Sequence, residues 1–84
     1  MSETLTLQVI CHSIIKQALE RDQFTVELPR GSIGSDLERH IRDLAGGQLE
    51  GIPFRLAVNR EFVSSDTELV DGDEVVIIPP VQGG

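Results

Sequence analysis

The residues of this sequence best suited to chemistry are its last two, Gly83 and Gly84. A terminal glycine offers a carboxylate with no β-carbon in the way of an attacking group, and a preceding glycine lets the backbone adopt any φ in a narrow channel. Activation of that carboxylate by ATP gives an adenylate, which a sulfur nucleophile can displace to leave a thiocarboxylate. This chemistry requires no internal catalytic side chain. A Gly-Gly end is also compatible with a frayed terminus, so the pair needs support from its surroundings.

Pro79 and Pro80 separate these glycines from the rest of the chain. Two consecutive prolines donate no hydrogen bonds and favour the extended polyproline conformation, so a strand cannot continue through them. The six residues from position 79 onward can reach about 20 Å at roughly 3.3 Å each. We therefore predict a folded domain over residues 1–78 and an extended, flexible tail over residues 79–84, a shape suited to insertion into another protein.

The other residues capable of chemistry are expected to have structural or solvent-exposed roles rather than catalytic ones. Cys11 follows a predicted strand and is expected to be a small buried residue rather than a sulfur carrier, because free cysteine is commonly buried. His12 and His40 are too isolated to form a metal site. Six acids lie between Glu61 and Glu74 without the glycine and glutamate placement of a calcium loop, which favours a solvated face or a docking surface. The sequence predicts no metal site and no bound cofactor.

The composition restricts the partners that such a chain can bind. With 14 acidic against 7 basic residues its net charge is −7, which disfavours nucleic acid and anionic membranes and favours a basic protein partner. The chain has no Trp or Tyr to stack on bases, and its longest apolar stretches fall far short of the roughly 20 residues of a membrane span. A single cysteine and the lack of a secretory signal pattern favour the cytoplasm. Its 84 residues make one domain with a thin core.

The first elements of the chain are predicted from the spacing of apolar residues. Alternation predicts strands at 4–9 and 24–28, and helical spacing predicts a short helix from about 13 to 20, for which Ser13 is a possible N-cap. Because the connection between the two strands is short, they are expected to pair.

The longest helix is predicted from position 32 to the pair Gly46-Gly47, where glycine can adopt the left-handed cap. Its start is open between Ser32 as a cap and Ser35 with Glu38 as a capping box one turn later. Four residues are expected to form its apolar face: Ile33, Leu37, Ile41 and Leu44.

The second half of the chain reads as short strands joined by turns. Strands are predicted at 54–58 and 61–63 around a turn at Asn59-Arg60, and at 74–78 after the turn Asp71-Gly72-Asp73. Four consecutive β-branched apolar residues in the last strand predict burial on both faces and a central position beside the first strand. The element order predicts an α+β fold, a mixed sheet with one long helix packed across one face.

The segment from Asp71 to Gly84, with sequence DGDEVVIIPPVQGG, closely resembles the small subunit of molybdopterin synthase. The segment VNREFV at 58–63 is similar to the Val-Asn turn and following strand of that family. The resemblance is specific over about residues 56–84, and over the first half it extends only to element order and length. It implies a ubiquitin-like β-grasp fold for residues 1–78.

The resemblance also implies a mechanism centred on Gly84. A ubiquitin-activating-like enzyme adenylates its carboxylate with ATP, and a sulfur donor converts it to a thiocarboxylate. The tail then inserts into the large synthase subunit, where the sulfur is delivered to precursor Z to build molybdopterin. Two large and two small subunits form the complex in this family, and no catalysis is expected from the small subunit alone.

The resemblance assigns roles to further residues of this chain. Gly83 permits passage of the tail, and Phe62 and Ile78 match apolar positions that contact partners in the family, although either can equally belong to the core. The insertion path is expected to involve Pro79, Pro80, Val81 and Gln82.

Other functions remain open at this point. Sulfur carriers for thiamin or cysteine biosynthesis share the fold and the Gly-Gly end. Thiamin carriers are usually shorter and lack the double proline, whereas cysteine carriers can have this length and are the closer competitor. An alternative of a different class is a non-catalytic ubiquitin-like module for protein interaction or tagging.

Overall fold

The computed structural model describes residues 3–80 and contains five strands and two helices within them. The elements are β1 (Thr4–Cys11), α1 (Ser13–Leu19), β2 (Gln23–Pro29), α2 (Gly34–Leu44), β3 (Arg55–Val58), β4 (Glu61–Val63) and β5 (Glu74–Ile78). Each predicted strand and helix is present, with ends that differ by a few residues. No helix among residues 3–80 has the length and apolarity needed to cross a membrane.

The strands form one mixed sheet in the order β2-β1-β5-β3-β4. The first strand, β1, pairs antiparallel with β2 and parallel with β5, and β3 is antiparallel to both β5 and β4. The predicted central position of the last strand, beside the first, is therefore confirmed. The residues following β5 leave from the middle of the sheet rather than from an edge strand.

The sheet is covered on one face only, which corrects the prediction that β5 is buried on both. Val75 and Ile77 are fully buried in the core, whereas Val76 and Ile78 are half-buried on the opposite face. The core combines alternate residues of the strands with the buried residues of both helices. Because both helices contribute to the same core, the outer face of the sheet is left to solvent or to another molecule.

The apolar face of α2 is confirmed at Leu37 and Ile41, which are fully buried, but not at Leu44. Leu44 is 49% exposed, and Ala45, the residue after the helix, is buried in its place. Leu37, Ile41 and Ala45 follow the spacing i, i+4, i+8. The buried face of the helix therefore continues to position 45, one residue beyond the predicted Leu44. The left-handed glycines after the helix are confirmed, with φ of 59° at Gly46 and 94° at Gly47.

None of the predicted serine caps is present. The N-cap of α2 is Ile33, whose backbone N–H donates to the carboxylate of Asp36 at 2.8 Å. The hydroxyl of Ser32 instead donates to the carbonyl of Pro29 at 2.6 Å. Ser13 is the first residue of α1 rather than its cap. The hydroxyl of Ser32 is taken up by a nearby backbone carbonyl and does not cap the helix. The spacing of residues in the sequence does not show this competition.

Candidate functional site

The predicted tail begins at the end of β5, where the chain is held on both sides. Ile77 pairs with Cys11 of β1 and Leu56 of β3, and Ile78 pairs with Arg55. Pro79 is half-buried and Pro80 is exposed, so the chain passes from the core to the surface within a few residues. The predicted insertion path therefore starts from a strand that is hydrogen-bonded to a neighbouring strand on each side.

Four of the predicted site residues lie outside the described residues 3–80. These are Val81, Gln82, Gly83 and Gly84. Their roles stay predictions.

An apolar groove of about 290 Å³ lies directly beside this base. Phe62 is 57% exposed and Ile78 is half-buried, so Phe62 lies on the surface and not in the core. The guanidinium carbon of Arg55 lies 4.2 Å from the centroid of the Phe62 ring. The groove is lined by Pro53, Phe54, Arg55, Phe62, Ile78, Pro79 and Pro80. The fold thus brings both predicted partner-contact residues next to the two prolines of the predicted path.

A second depression, of about 250 Å³, adjoins the same prolines. It is lined by Ser13 and Ile14 from the start of α1, by Ile52, and by Pro79 and Pro80. Ile14 is 40% exposed and contributes apolar surface to this depression. Apolar surface therefore adjoins the tail base in two depressions, and Ile14 and Ile52 of the second were not among the predicted site residues.

The loop from 46 to 53 is held in place by Arg42 of α2. Its guanidinium donates to the carbonyl of Leu49 at 2.7 Å and to that of Ile52 at 2.9 Å. The same guanidinium lies 4.5 Å from the centroid of the Phe54 ring. Because Ile52 and Phe54 line the two depressions, Arg42 fixes one wall of each.

The turn before β5 is tied to β1 through Asp71. The carboxylate of Asp71 accepts a hydrogen bond from the backbone N–H of Thr6 at 2.7 Å, and Gly72 N–H donates to the Thr6 carbonyl at 2.8 Å. Gly72 has a φ of 89°, which favours glycine. This part of the Asp-Gly-Asp motif sets the position of β5 against β1.

Asn59 ties the same turn to the β3–β4 hairpin. Its side-chain amide donates to the carboxylate of Asp73 at 2.9 Å, and its side-chain carbonyl accepts from the N–H of Glu74 at 3.1 Å. Asn59 and Arg60 have positive φ values of 49° and 75°, which confirms the predicted tight turn. The Val-Asn turn therefore connects the β3–β4 hairpin to the Asp-Gly-Asp turn through the side chain of Asn59.

Cys11 is fully buried on the core side of β1, as predicted. Burial, and secondarily the negative charge of Asp22, raises the pKa of its thiol from 9.0 to about 11. The thiol is therefore protonated at neutral pH and is a poor nucleophile. Among residues 3–80, no three histidine, cysteine or acidic side chains are grouped so that they could hold a metal ion.

Comparison with known proteins places the chain among small carrier proteins. The model of the ThiS family matches residues 14–84. The molybdopterin synthase sulfur carrier subunit of Escherichia coli is 42% identical over 60 residues, which span 71% of this chain and 68% of the relative. The sulfur carrier subunit of Dictyostelium discoideum is 32% identical over 83 residues, which span 92% of this chain and 94% of the relative.

Solved structures confirm the ubiquitin-like β-grasp fold. A protein described as molybdopterin converting factor subunit 1, from Pyrococcus furiosus, matches with a TM-score of 0.84 and 29% identity over 92% of this chain and 99% of that one. A complex of molybdopterin-converting factor subunits 1 and 2 from Helicobacter pylori has a chain that matches with a TM-score of 0.64 and 22% identity, over 95% and 100% of the chains. The ubiquitin of Caldiarchaeum subterraneum shares the fold at a TM-score of 0.64 and 12% identity, over 96% and 99%.

Proposed function

The chain belongs to the ThiS family, and on that premise we propose that it is the sulfur-carrier subunit of a molybdopterin synthase in molybdenum cofactor biosynthesis. The observation that carries the proposal is a family match that continues to Gly84 and thus includes the Gly-Gly end. The two curated relatives bear the name of that subunit, and both match this chain over more than two thirds of its length. We assign the chemistry to the cytoplasm, where a single cysteine stays reduced.

The proposed reaction runs through the backbone carboxylate of Gly84. An activating enzyme transfers AMP from ATP to this carboxylate and releases pyrophosphate. A sulfur nucleophile from a donor then attacks the carbonyl carbon, so that a carbon–sulfur bond forms while the carbon–oxygen bond to AMP breaks. With a persulfide as the donor this gives an acyl disulfide, and a second thiol then attacks the donor's sulfur, which releases the thiocarboxylate on Gly84 and leaves the donor joined to that thiol as a disulfide. That sulfur is afterwards delivered to precursor Z, and this chain needs no bound cofactor of its own.

The residues at the tail base supply positioning for this chemistry. The central strand β5 is paired with β1 as far as Ile77 and with β3 as far as Ile78, so the position from which the tail leaves is well defined. The partner proposed is the large synthase subunit, supported by the matching chain from the Helicobacter pylori complex of subunits 1 and 2. In this proposal Phe62, Ile78 and the prolines contact the rim of a channel in that partner, while residues 81–84 occupy the channel and two copies of each subunit assemble.

A C-terminal extension provides a direct test of the carboxylate. Three serines added after Gly84 are expected to abolish thiocarboxylate formation and molybdopterin synthesis. Gly84 is then joined to serine by a peptide bond, and the terminal carboxylate belongs to the last serine. The matched control carries the same three serines before Met1 and should retain full activity. Both variants should unfold at the temperature of the wild type. Sulfur transfer that survives the C-terminal extension would contradict the proposal.

Intact-mass measurement identifies the product. After incubation with the activating enzyme, ATP and a sulfur donor, the chain should gain about 16 Da, and fragmentation must place the gain at Gly84 because oxidation of Met1 or Cys11 adds a similar mass. Conversion of precursor Z on mixing with a large synthase subunit then assigns the pathway. A thiocarboxylate without conversion would favour a carrier for cysteine or thiamin biosynthesis, and an isopeptide bond to other proteins would favour a tagging module.

A further inference from the structure

Arg55 lies on the outer face of the sheet, beside the point where the tail begins. Its strand register sets it opposite Ile78, the last residue before the prolines. Ala57, two residues further on the same face, is opposite Phe62 across the hairpin, so Arg55 and Phe62 are diagonal neighbours. The guanidinium carbon consequently lies over an exposed ring, 4.2 Å from its centroid, and the Arg55 side chain forms one wall of the groove beside the tail.

This guanidinium carries the one charge among the residues that line the groove. The other lining residues are proline, phenylalanine and isoleucine. Within residues 3–80, the side chain of Arg55 forms no hydrogen bond or ion pair, although the whole chain has 14 acids against 7 bases. Its N–H donors therefore remain available to another molecule, while the guanidinium keeps a cation–π contact with the ring of Phe62.

A protein that covers the groove has to remove water from this cation. Removal of water from a charge is costly unless an opposite charge and hydrogen-bond acceptors replace it. A guanidinium presents its donors as a planar fork that matches the two oxygens of a carboxylate. The apolar lining of the groove at the same time calls for an apolar side chain from the partner.

We propose that Arg55 is a specificity-determining residue for docking: stacked on Phe62, it pairs with a carboxylate that the tail-receiving partner presents next to an apolar side chain. This inference rests on the proposed function, and the partner it commits to is the large synthase subunit. The surface of that partner is predicted to be mixed, with basic groups facing the acids from Glu61 to Glu74 and one carboxylate at the groove. A protein with a basic group at that point is rejected by like charge.

The test measures binding of the full chain to the large synthase subunit by calorimetry. Arg55→Glu reverses the charge, and Arg55→Met keeps an unbranched apolar stem on the Phe62 ring while removing the fork. Arg60→Glu is the matched control, because it changes net charge by the same amount at the exposed β3–β4 turn, at the other end of β3. Far-UV circular dichroism and the melting temperature establish that each variant is folded before binding is compared.

We expect Arg55→Glu to weaken binding by roughly 30-fold or more and Arg55→Met by roughly tenfold, against less than about threefold for Arg60→Glu. Replacing acids on the partner by lysine, one at a time, should restore binding of Arg55→Glu at one position and not that of Arg60→Glu. The proposal is overturned if Arg55→Glu binds like Arg60→Glu, or if Arg55→Met binds as tightly as the wild type or more tightly. Absence of binding by the wild type would instead reject the proposed function, and this inference with it.

Discussion

Arg42→Ala offers a quantitative test of how the loop at the tail base is held. The substitution removes two hydrogen bonds to the carbonyls of Leu49 and Ile52 and the contact with the Phe54 ring. Hydrogen bonds from a charged group contribute roughly 1.5–3 kcal/mol each, and a cation over an aromatic ring roughly 0.5–2 kcal/mol. Because Arg42 is half-buried, water replaces part of these contacts, and we expect a loss of about 3 kcal/mol in the free energy of unfolding.

Urea titration followed by far-UV circular dichroism measures this loss, since the chain has no Trp or Tyr for fluorescence. For a domain of this size the same loss lowers the melting temperature by about 12–24 °C. Hydrogen exchange should also accelerate at the amides of Glu50 and Ile52, which bond within the loop to Gly47 and Leu49. Arg42→Lys keeps the charge but loses the planar fork, and it should lie between the wild type and Arg42→Ala.

The matched control is Arg39→Ala, one turn earlier on the same helix. The Arg39 side chain is 71% exposed and has a single ion pair with Asp36 at 3.5 Å, so its removal should cost about 0.5 kcal/mol or less. Both substitutions change helix propensity equally, so their difference isolates the contacts of Arg42. If Arg42→Ala is no less stable than Arg39→Ala, the assignment of Arg42 as the residue that holds the loop is wrong.

Two further outcomes follow from the described residues. Because burial raises the pKa of the Cys11 thiol to about 11, the folded state retains a proton that the unfolded state loses above about pH 9, so the free energy of unfolding should fall from pH 9 to 11. Cys11→Ala should remove that fall while leaving sulfur transfer intact. If the free energy of unfolding of Cys11→Ala still falls with pH as in the wild type, the Cys11 thiol is not the group that causes the fall. Asn59→Ala loses two side-chain hydrogen bonds and puts alanine at a φ of 49°, which should cost about 2–3 kcal/mol. Asn59→Gly should regain roughly 1 kcal/mol of this loss, and equal stabilities would argue against strain at the turn.

Local patterns predicted the elements well because they act over a few residues. Alternation in β1, helical spacing in α2 and the turn at Asp71-Gly72-Asp73 each correspond to an observed element. The central position of β5 was also predictable, since a β-branched run at Val75–Ile78 fits a strand with two neighbours. Its burial on both faces was not, because the sequence does not reveal that both helices cover the same face.

The site was harder to predict because its contacts join distant residues. Phe62 and Ile78 came from a resemblance, and their common groove exists only once β3 lies between β4 and β5. Arg42 bonds to loop carbonyls seven and ten residues away, a pattern without any residue signature. The stacking of Arg55 on Phe62 depends on the hairpin register, which a shift of one residue would destroy.

The central location of β5 has a mechanical consequence. A pull on Pro80 acts along the axis of the strand, across the hydrogen bonds that join it to β1 and β3. Force in this direction loads all of those bonds together in shear, whereas a pull that peels an edge strand breaks them one after another. Force spectroscopy with handles at the two ends of the chain should therefore record high resistance to unfolding. Under the proposed function, this anchoring would let the protein withdraw its last residues from a partner's channel without unfolding.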